Sequence, residues 1–264
     1  MVFKMFQVDA FADNLFYGNP AAVVILEEKI DEGLMQSIAM ENNLSETAFV
    51  NINDDPINIR WFTPVTEVKL CGHATLAAAK VLFETYPEFT ADEILFQSKS
   101  GILRAYQKAA HIFLDFPADW RLECVDKTDA FEAALGQRPI CAFRGKDDYL
   151  VIFDTQSMIE RIQPNFLRLA DFDSRGVVAS AAGDEFDFVS RCFFPKMGVN
   201  EDPVTGSAHT MLIPYWSANT NKMKFVARQL SALGGTLYCH LKNDRLFIGG
   251  ASRIFFDGTI YCDG

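Results

Sequence analysis

The chain has 264 residues, of which 49% are hydrophobic and 22% charged, with a formal net charge of -11. That length fits one large domain or two of ordinary size, and a net negative surface repels phosphate backbones, which argues against nucleic acid as a partner. No apolar run reaches the roughly 18 residues of a membrane span, and the opening MVFKMFQVDAF lacks the basic, apolar and cleavage regions of a signal peptide.

In chain order, β-branched and aromatic runs predict strands at Val2–Val8, Ala21–Leu26, Thr47–Ile52 and Asn58–Phe62. Between them, Asp31–Met40 places Leu34, Met35, Ile38 and Ala39 on one face at helical spacing. Gly18-Asn19-Pro20 reads as a turn between strands. Ala74–Phe83 is rich in Ala and Leu and predicts a buried helix. Further strands are expected at Tyr149–Phe153, Phe186–Cys192, Thr236–Leu241 and Arg245–Ile248, with a short apolar helix inside 202–217 opened by Thr205-Gly206-Ser207. The sum is an α+β chain with more strands than helices. Phe116–Trp120 is the best boundary, giving domains 1–116 and 117–264. The 24 phenylalanines predict a large aromatic core.

Cys71-Gly72-His73-Ala74-Thr75 and Thr205-Gly206-Ser207-Ala208-His209 both lead into apolar helices about half a chain apart. Two such entrances turn free N–H groups and positive dipole ends toward a ligand, which favours an anion. The six cysteines are scattered without a CxxC pair, as in reduced cytoplasmic proteins. The four histidines lack metal-ligand spacing, so nothing in the sequence asks for a metal.

Glu46 reads either as a solvated loop glutamate or, in a dry cleft, as a carboxyl group with a raised pKa. Asp202 precedes Pro203 and fits a turn or a second carboxyl group opposite the first. His73, at a helix entrance, is either structural or a neutral imidazole that relays protons. Ser207 is an N-cap or a carboxylate-binding hydroxyl, and Asn19 a turn residue or a ligand contact. Cys71 competes as a nucleophile, because a helix N-terminus lowers a thiol pKa. Pairing Cys71 with His73 looks awkward, since residues two apart on a helix entrance seldom face each other.

Together these stretches resemble the PhzF (phenazine biosynthesis-like) family of the diaminopimelate epimerase-like superfamily. The likeness lies in Asp9-Ala10-Phe11, Phe16-Tyr17-Gly18-Asn19-Pro20, Asn43-Leu44-Ser45-Glu46-Thr47, Arg60-Trp61-Phe62-Thr63-Pro64, Leu70-Cys71-Gly72-His73-Ala74-Thr75, Arg191-Cys192-Phe193-Phe194-Pro195, the run from Gly198 to His209, and Arg228-Gln229. It implies two pseudo-equivalent domains, each a curved, mostly antiparallel sheet around a central helix. It implies a cofactor-independent isomerase, often a homodimer, acting on a small carboxylate-bearing metabolite. Glu46 is then the main general acid/base, with His73, Asp202 and Ser207 lining the site, and Gly72, Gly206 and Asn19 contacting substrate. Cys71 matches the first thiol of the superfamily's epimerases, but Thr205 stands at the second, which argues against a two-thiol mechanism. The competing classes are a metabolite-binding or protein-interaction module that keeps the fold, and a thiol enzyme built on Cys71.

Overall fold

The computed structural model describes residues 1–89 and 92–262. Elements follow in chain order as β1 (Val2–Ala10), β2 (Asn19–Leu26), α1 (Glu32–Asn42), β3 (Glu46–Asn51), β4 (Ile57–Phe62), β5 (Glu67–Val68), α2 (Gly72–Thr85), β6 (Glu93–Ser98), β7 (Gly101–Lys108) and β8 (His111–Pro117). Next come β9 (Glu123–Val125), α3 (Thr128–Leu135), β10 (Cys141–Arg144), β11 (Tyr149–Ile152), α4 (Gln156–Glu160), α5 (Phe166–Ala170) and β12 (Val177–Ala182). The chain ends with β13 (Phe188–Phe194), β14 (Val199–Asp202), α6 (His209–Thr220), β15 (Lys224–Gln229), β16 (Gly235–Lys242), β17 (Arg245–Gly250) and β18 (Ser252–Tyr261). Two compact units result: Met1–Asp115 with Gly249–Gly264, and Phe116–Ile248. The last segment joins the first unit because β18 runs antiparallel along β1, from Val2 opposite Tyr261 to Ala10 opposite Ser252.

The two units repeat one pairing scheme. In the first, β1 is antiparallel to β2, β2 parallel to β3 across α1, and β3 antiparallel to β4. There β4 pairs antiparallel with β5 and parallel with β6, which returns antiparallel as β7. In the second, β10 is antiparallel to β11, β11 parallel to β12 across α4 and α5, and β12 antiparallel to β13. There β13 pairs antiparallel with β14 and parallel with β15, which returns as β16. In sequence, α2 falls between β5 and β6, and α6 between β14 and β15.

Side chains repeat with the topology. Arg60 on β4 grips Glu67 on β5 with two parallel bonds of 2.8 and 2.7 Å, its guanidinium 5.1 Å from the Phe62 ring centre. Arg191 on β13 grips Glu201 on β14 at 2.7 and 2.8 Å, 5.2 Å from the Phe193 ring. A planar fork on a carboxylate, with one face against an aromatic ring, is a geometry that lysine cannot reproduce. Each bracket pins the short strand that precedes a helix entrance.

Both entrance helices are apolar on nearly every side, as a helix enclosed by sheet must be. In α2 the residues from His73 to Ala79, with Val81 and Leu82, are buried, and the helix packs on β1, β2, β3, β7 and β18. In α6 the buried set includes His209, Met211, Leu212, Ile213 and Trp216. The outer helix α1 buries Met35, Ile38 and Ala39 against Phe3, Val24, Phe49 and Phe62, with Leu34 partly covered. Asp31 caps it, accepting from the Gly33 N–H at 2.8 Å.

One expected feature is displaced. Thr205-Gly206-Ser207 does not open α6 directly: the helix begins at His209, with Ala208 as N-cap. The preceding residues form a tight turn in which the His209 and Thr210 N–H groups donate to the Gly206 and Ser207 carbonyls at 3.0 and 3.2 Å. Ser207 is therefore not the cap. All six cysteines are free thiols, and among the described residues no helix is long and apolar enough to cross a membrane.

Candidate active site

In the first unit, α1 ends at Asn43, whose left-handed backbone (φ 49°) turns the chain into β3. The turn delivers Glu46 as the first residue of β3, opposite Ala21 of the parallel strand β2. Asn19 starts β2 two residues earlier and is fully buried, its side-chain oxygen accepting from the Ser45 hydroxyl at 3.3 Å. The turn before it, stretched over Phe16 (φ 72°) and Gly18 (φ 81°), is held by Asp9, which accepts the Phe16 N–H at 3.0 Å.

Cys71 and His73 come from the α2 entrance. Cys71 is the N-cap, with extended backbone (φ -141°, ψ 112°), and Gly72 is the first helical residue. Because Cys71 lies outside the helix, the spacing rule for helical neighbours does not apply to it. Its sulfur lies 3.5 Å from His73 Nδ1, so the expected mismatch between these two side chains is overturned. On the other edge of the ring, His73 Nε2 lies 3.2 Å from Glu46 Oε2, with the two side chains only 7% and 18% exposed.

Burial pushes the Glu46 pKa up to about 7, although the neighbouring Ser45 and Cys71 side chains pull it down in part. Glu46 Oε2 is buried without an aligned hydrogen-bond donor, so little offsets the loss of hydration there. A carboxyl group poised near neutrality both gives and takes a proton at little cost. The three donor atoms of Glu46, Cys71 and His73 lie within 4.8 Å of one another, a spacing a metal ion could use. The same contacts, Cys71 Sγ to His73 Nδ1 and His73 Nε2 to Glu46 Oε2, also lay out a hydrogen-bond relay.

The raised pKa has a stability consequence. Between the ordinary value of 4.5 and about 7, the unfolded chain has lost the Glu46 proton while the folded chain keeps it. Stability therefore falls as pH rises through that window, by about 3 kcal/mol in all. Glu46→Gln removes the penalty. Its melting temperature should match wild type near pH 4.5 and exceed it at pH 8; equal melting at pH 8 would show that Glu46 is not desolvated.

In the second unit, Asp202 ends β14. One of its oxygens, Oδ2, accepts the Thr205 hydroxyl at 2.5 Å. The fully buried Gln229 locks this turn: its Oε1 accepts the Thr205 N–H at 2.8 Å, and its Nε2 donates to the Asp202 carbonyl at 2.6 Å. Gly206 is buried and Ser207 half-buried in the turn before α6, with Arg175 Nη2 donating to Ser207 Oγ at 3.2 Å. His209 is fully buried and donates from Nδ1 to the Thr205 carbonyl at 2.9 Å; burial holds its pKa down at about 4, so it stays neutral.

The structure thus gathers Glu46, His73, Gly72 and Asn19 into one cluster in the first unit, and Asp202, Gly206 and Ser207 into another in the second. Sequence reasoning missed Arg175 and Gln229, because no local motif marks a residue whose partner is 24 to 32 positions away. It also missed Thr205 as a support of Asp202, although the two are only three positions apart.

Residues 8–258 match the family model described as phenazine biosynthesis-like protein. An uncharacterized isomerase of Pseudomonas aeruginosa is 47% identical over 260 residues, covering 98% of this chain and 99% of that protein. The crystal structure of a PhzF-family phenazine biosynthesis protein from Enterococcus faecalis is 44% identical with a TM-score of 0.96, covering 99% of this chain and 100% of that one. A hydroxyproline epimerase from Agrobacterium vitis is 9% identical with a TM-score of 0.64, covering 98% and 92% of the two chains, a likeness of fold alone.

Proposed function

This chain belongs to the phenazine biosynthesis-like (PhzF) family, and we propose from that premise that it is a cofactor-independent isomerase moving a proton within a small carboxylate-bearing metabolite. The observation that carries the reading is Glu46: a buried carboxyl group poised at about 7, beside a histidine nitrogen at 3.2 Å. Glu46 takes a proton from one substrate atom and returns it to another. His73 lies within reach to orient the carboxyl group and share its proton. Asp202 is the second carboxyl group of the reaction, oriented by Thr205. Ser207, with the Gly206 amide, is the donor set for the substrate's carboxylate.

The test is incubation with a metabolite extract in deuterated water, followed by mass spectrometry. Proton transfer predicts one metabolite that gains deuterium with wild type and not with Glu46→Gln. No enzyme-dependent incorporation in any extract would end the proposal.

A second reading rests on the 3.5 Å contact between the Cys71 sulfur and His73, which is the arrangement of an activated thiol. The two readings rank the variants oppositely. Proton transfer by Glu46 leaves Cys71→Ser within a few-fold of wild type, whereas thiol chemistry makes that variant inactive and Glu46→Gln nearly normal.

A further inference from the structure

Arg175 lies just before β12, outside every motif described above. Its Nε and Nη2 clasp Asp148 at 3.0 and 2.5 Å, and Asp148 is only 5% exposed. Its guanidinium carbon lies 5.1 Å from the centre of the Phe194 ring. That ring packs against Gly176, where any Cβ would meet Phe194 Cδ1 at 2.1 Å. The guanidinium is thus fixed by a carboxylate at its edge and a ring on its face. Held there, Nη2 has one hydrogen left, and it goes to Ser207 Oγ at 3.2 Å.

A hydroxyl group has one proton to give and two lone pairs to accept with. Ser207 Oγ accepts from a cation, so its own proton points elsewhere. Among the described residues no acceptor takes that proton. The Ser207 carbonyl, by contrast, is fully engaged, accepting from both the Thr210 hydroxyl at 2.7 Å and the Thr210 N–H at 3.2 Å. The backbone is anchored while the hydroxyl proton is left to an external acceptor. Acceptance from a guanidinium also makes that proton more acidic, so it donates more strongly to an anion.

We infer that Arg175 is a positioning residue that acts through Ser207, fixing the hydroxyl as an outward donor to the substrate's carboxylate. This rests on the reading of Ser207 given under the proposed function. Asp148 in turn holds Arg175, so the chain of dependence runs from Asp148 to Arg175 to Ser207 to ligand.

The probe is acetate, titrated into isotope-labelled protein while the Gly206 and Ser207 amide signals are followed by NMR. Wild type should show saturable shifts. Ser207→Ala and Arg175→Lys should each weaken acetate binding by about tenfold, as expected for one hydrogen bond to a charged group. The double variant should be no weaker than Ser207→Ala alone, because both changes remove one interaction. Ser207→Thr, which keeps a hydroxyl, should restore binding. Losing Arg175 leaves a buried carboxylate, so the neutral pair Asp148→Asn with Arg175→Gln serves as a second variant, with its melting curve as the folding control; it should bind as weakly as Arg175→Lys. If Arg175→Lys and the neutral pair bind acetate like wild type while Ser207→Ala does not, this inference fails and the role of Ser207 stands. Additive losses in the double variant would also overturn it. If acetate does not bind wild type, or Ser207→Ala binds it unchanged, both the inference and the proposed carboxylate site fall together.

Discussion

Glu46→Gln lowers turnover by about 10²–10⁴-fold, the range for a missing general acid/base, once a substrate has been found by isotope exchange. Glutamine keeps the size and one hydrogen-bonding oxygen of the side chain but has no proton to exchange at neutral pH. The loss should appear in kcat, with KM little changed, because the proposed carboxylate contacts come from the Ser207 turn and not from Glu46. The pH profile should change as well. Wild type relies on a group that titrates at about 7, so its rate should inflect there. Residual activity in the variant should lack that inflection. A variant that turns over at wild-type rates would remove Glu46 from the mechanism whatever its burial.

Gly18→Ala should destabilise the protein by about 4 kcal/mol, the sum of a strained backbone and an overpacked contact. Gly18 has φ 81°, and a Cβ there would lie 2.2 Å from the Ala10 carbonyl oxygen and 2.8 Å from Ala12 Cβ. Neither neighbour can yield cheaply, since Ala10 pairs with Asn19 on one side and with Ser252 on the other. The damage is aimed at the site, because Asn19 follows directly and receives the Ser45 hydroxyl next to Glu46. Urea titration should show the lower midpoint. An unchanged midpoint would mean that the turn rearranges freely and does not fix Asn19.

Legibility in the sequence followed how local each signal was. The α1 face of Leu34, Met35, Ile38 and Ala39 could be read because helical spacing is a short-range property, and α2 because its composition is apolar throughout. Apart from a strand ending at Pro117, the stretch from Glu93 carried no strand reading, although buried Ile94, Phe96, Leu103, Ala105, Ile112 and Leu114 alternate there with outward-facing residues. Three of those outward positions, Leu95, Ile102 and Phe113, are apolar, which blurs the period of two in the sequence. The full length of the internal repeat was hidden for a different reason. Arg60 and Glu67 are 7 positions apart and Arg191 and Glu201 are 10, because a short 3-10 turn at Pro195–Met197 lengthens the second copy. The identity of Glu46 was legible only through family resemblance. Its protonation was not, since that depends on how much water the folded chain removes. Arg175 had no local signal at all, because its meaning lies in Asp148 and Ser207, 27 and 32 positions away.

The pairing of β1 with β18 sets the timetable of biosynthesis. Residues Phe116–Ile248 leave the ribosome with every element of their unit present. The unit that began first must still wait, because the outer edge of β1 has no neighbour until the strand ending at Tyr261 is made. The middle of the chain can therefore fold before its beginning does, against the usual N-terminal-first order. Until then β1 presents an unpaired edge, the surface on which neighbouring nascent chains stick to one another. Strand β18 thus acts as the cover that closes β1 off from aggregation.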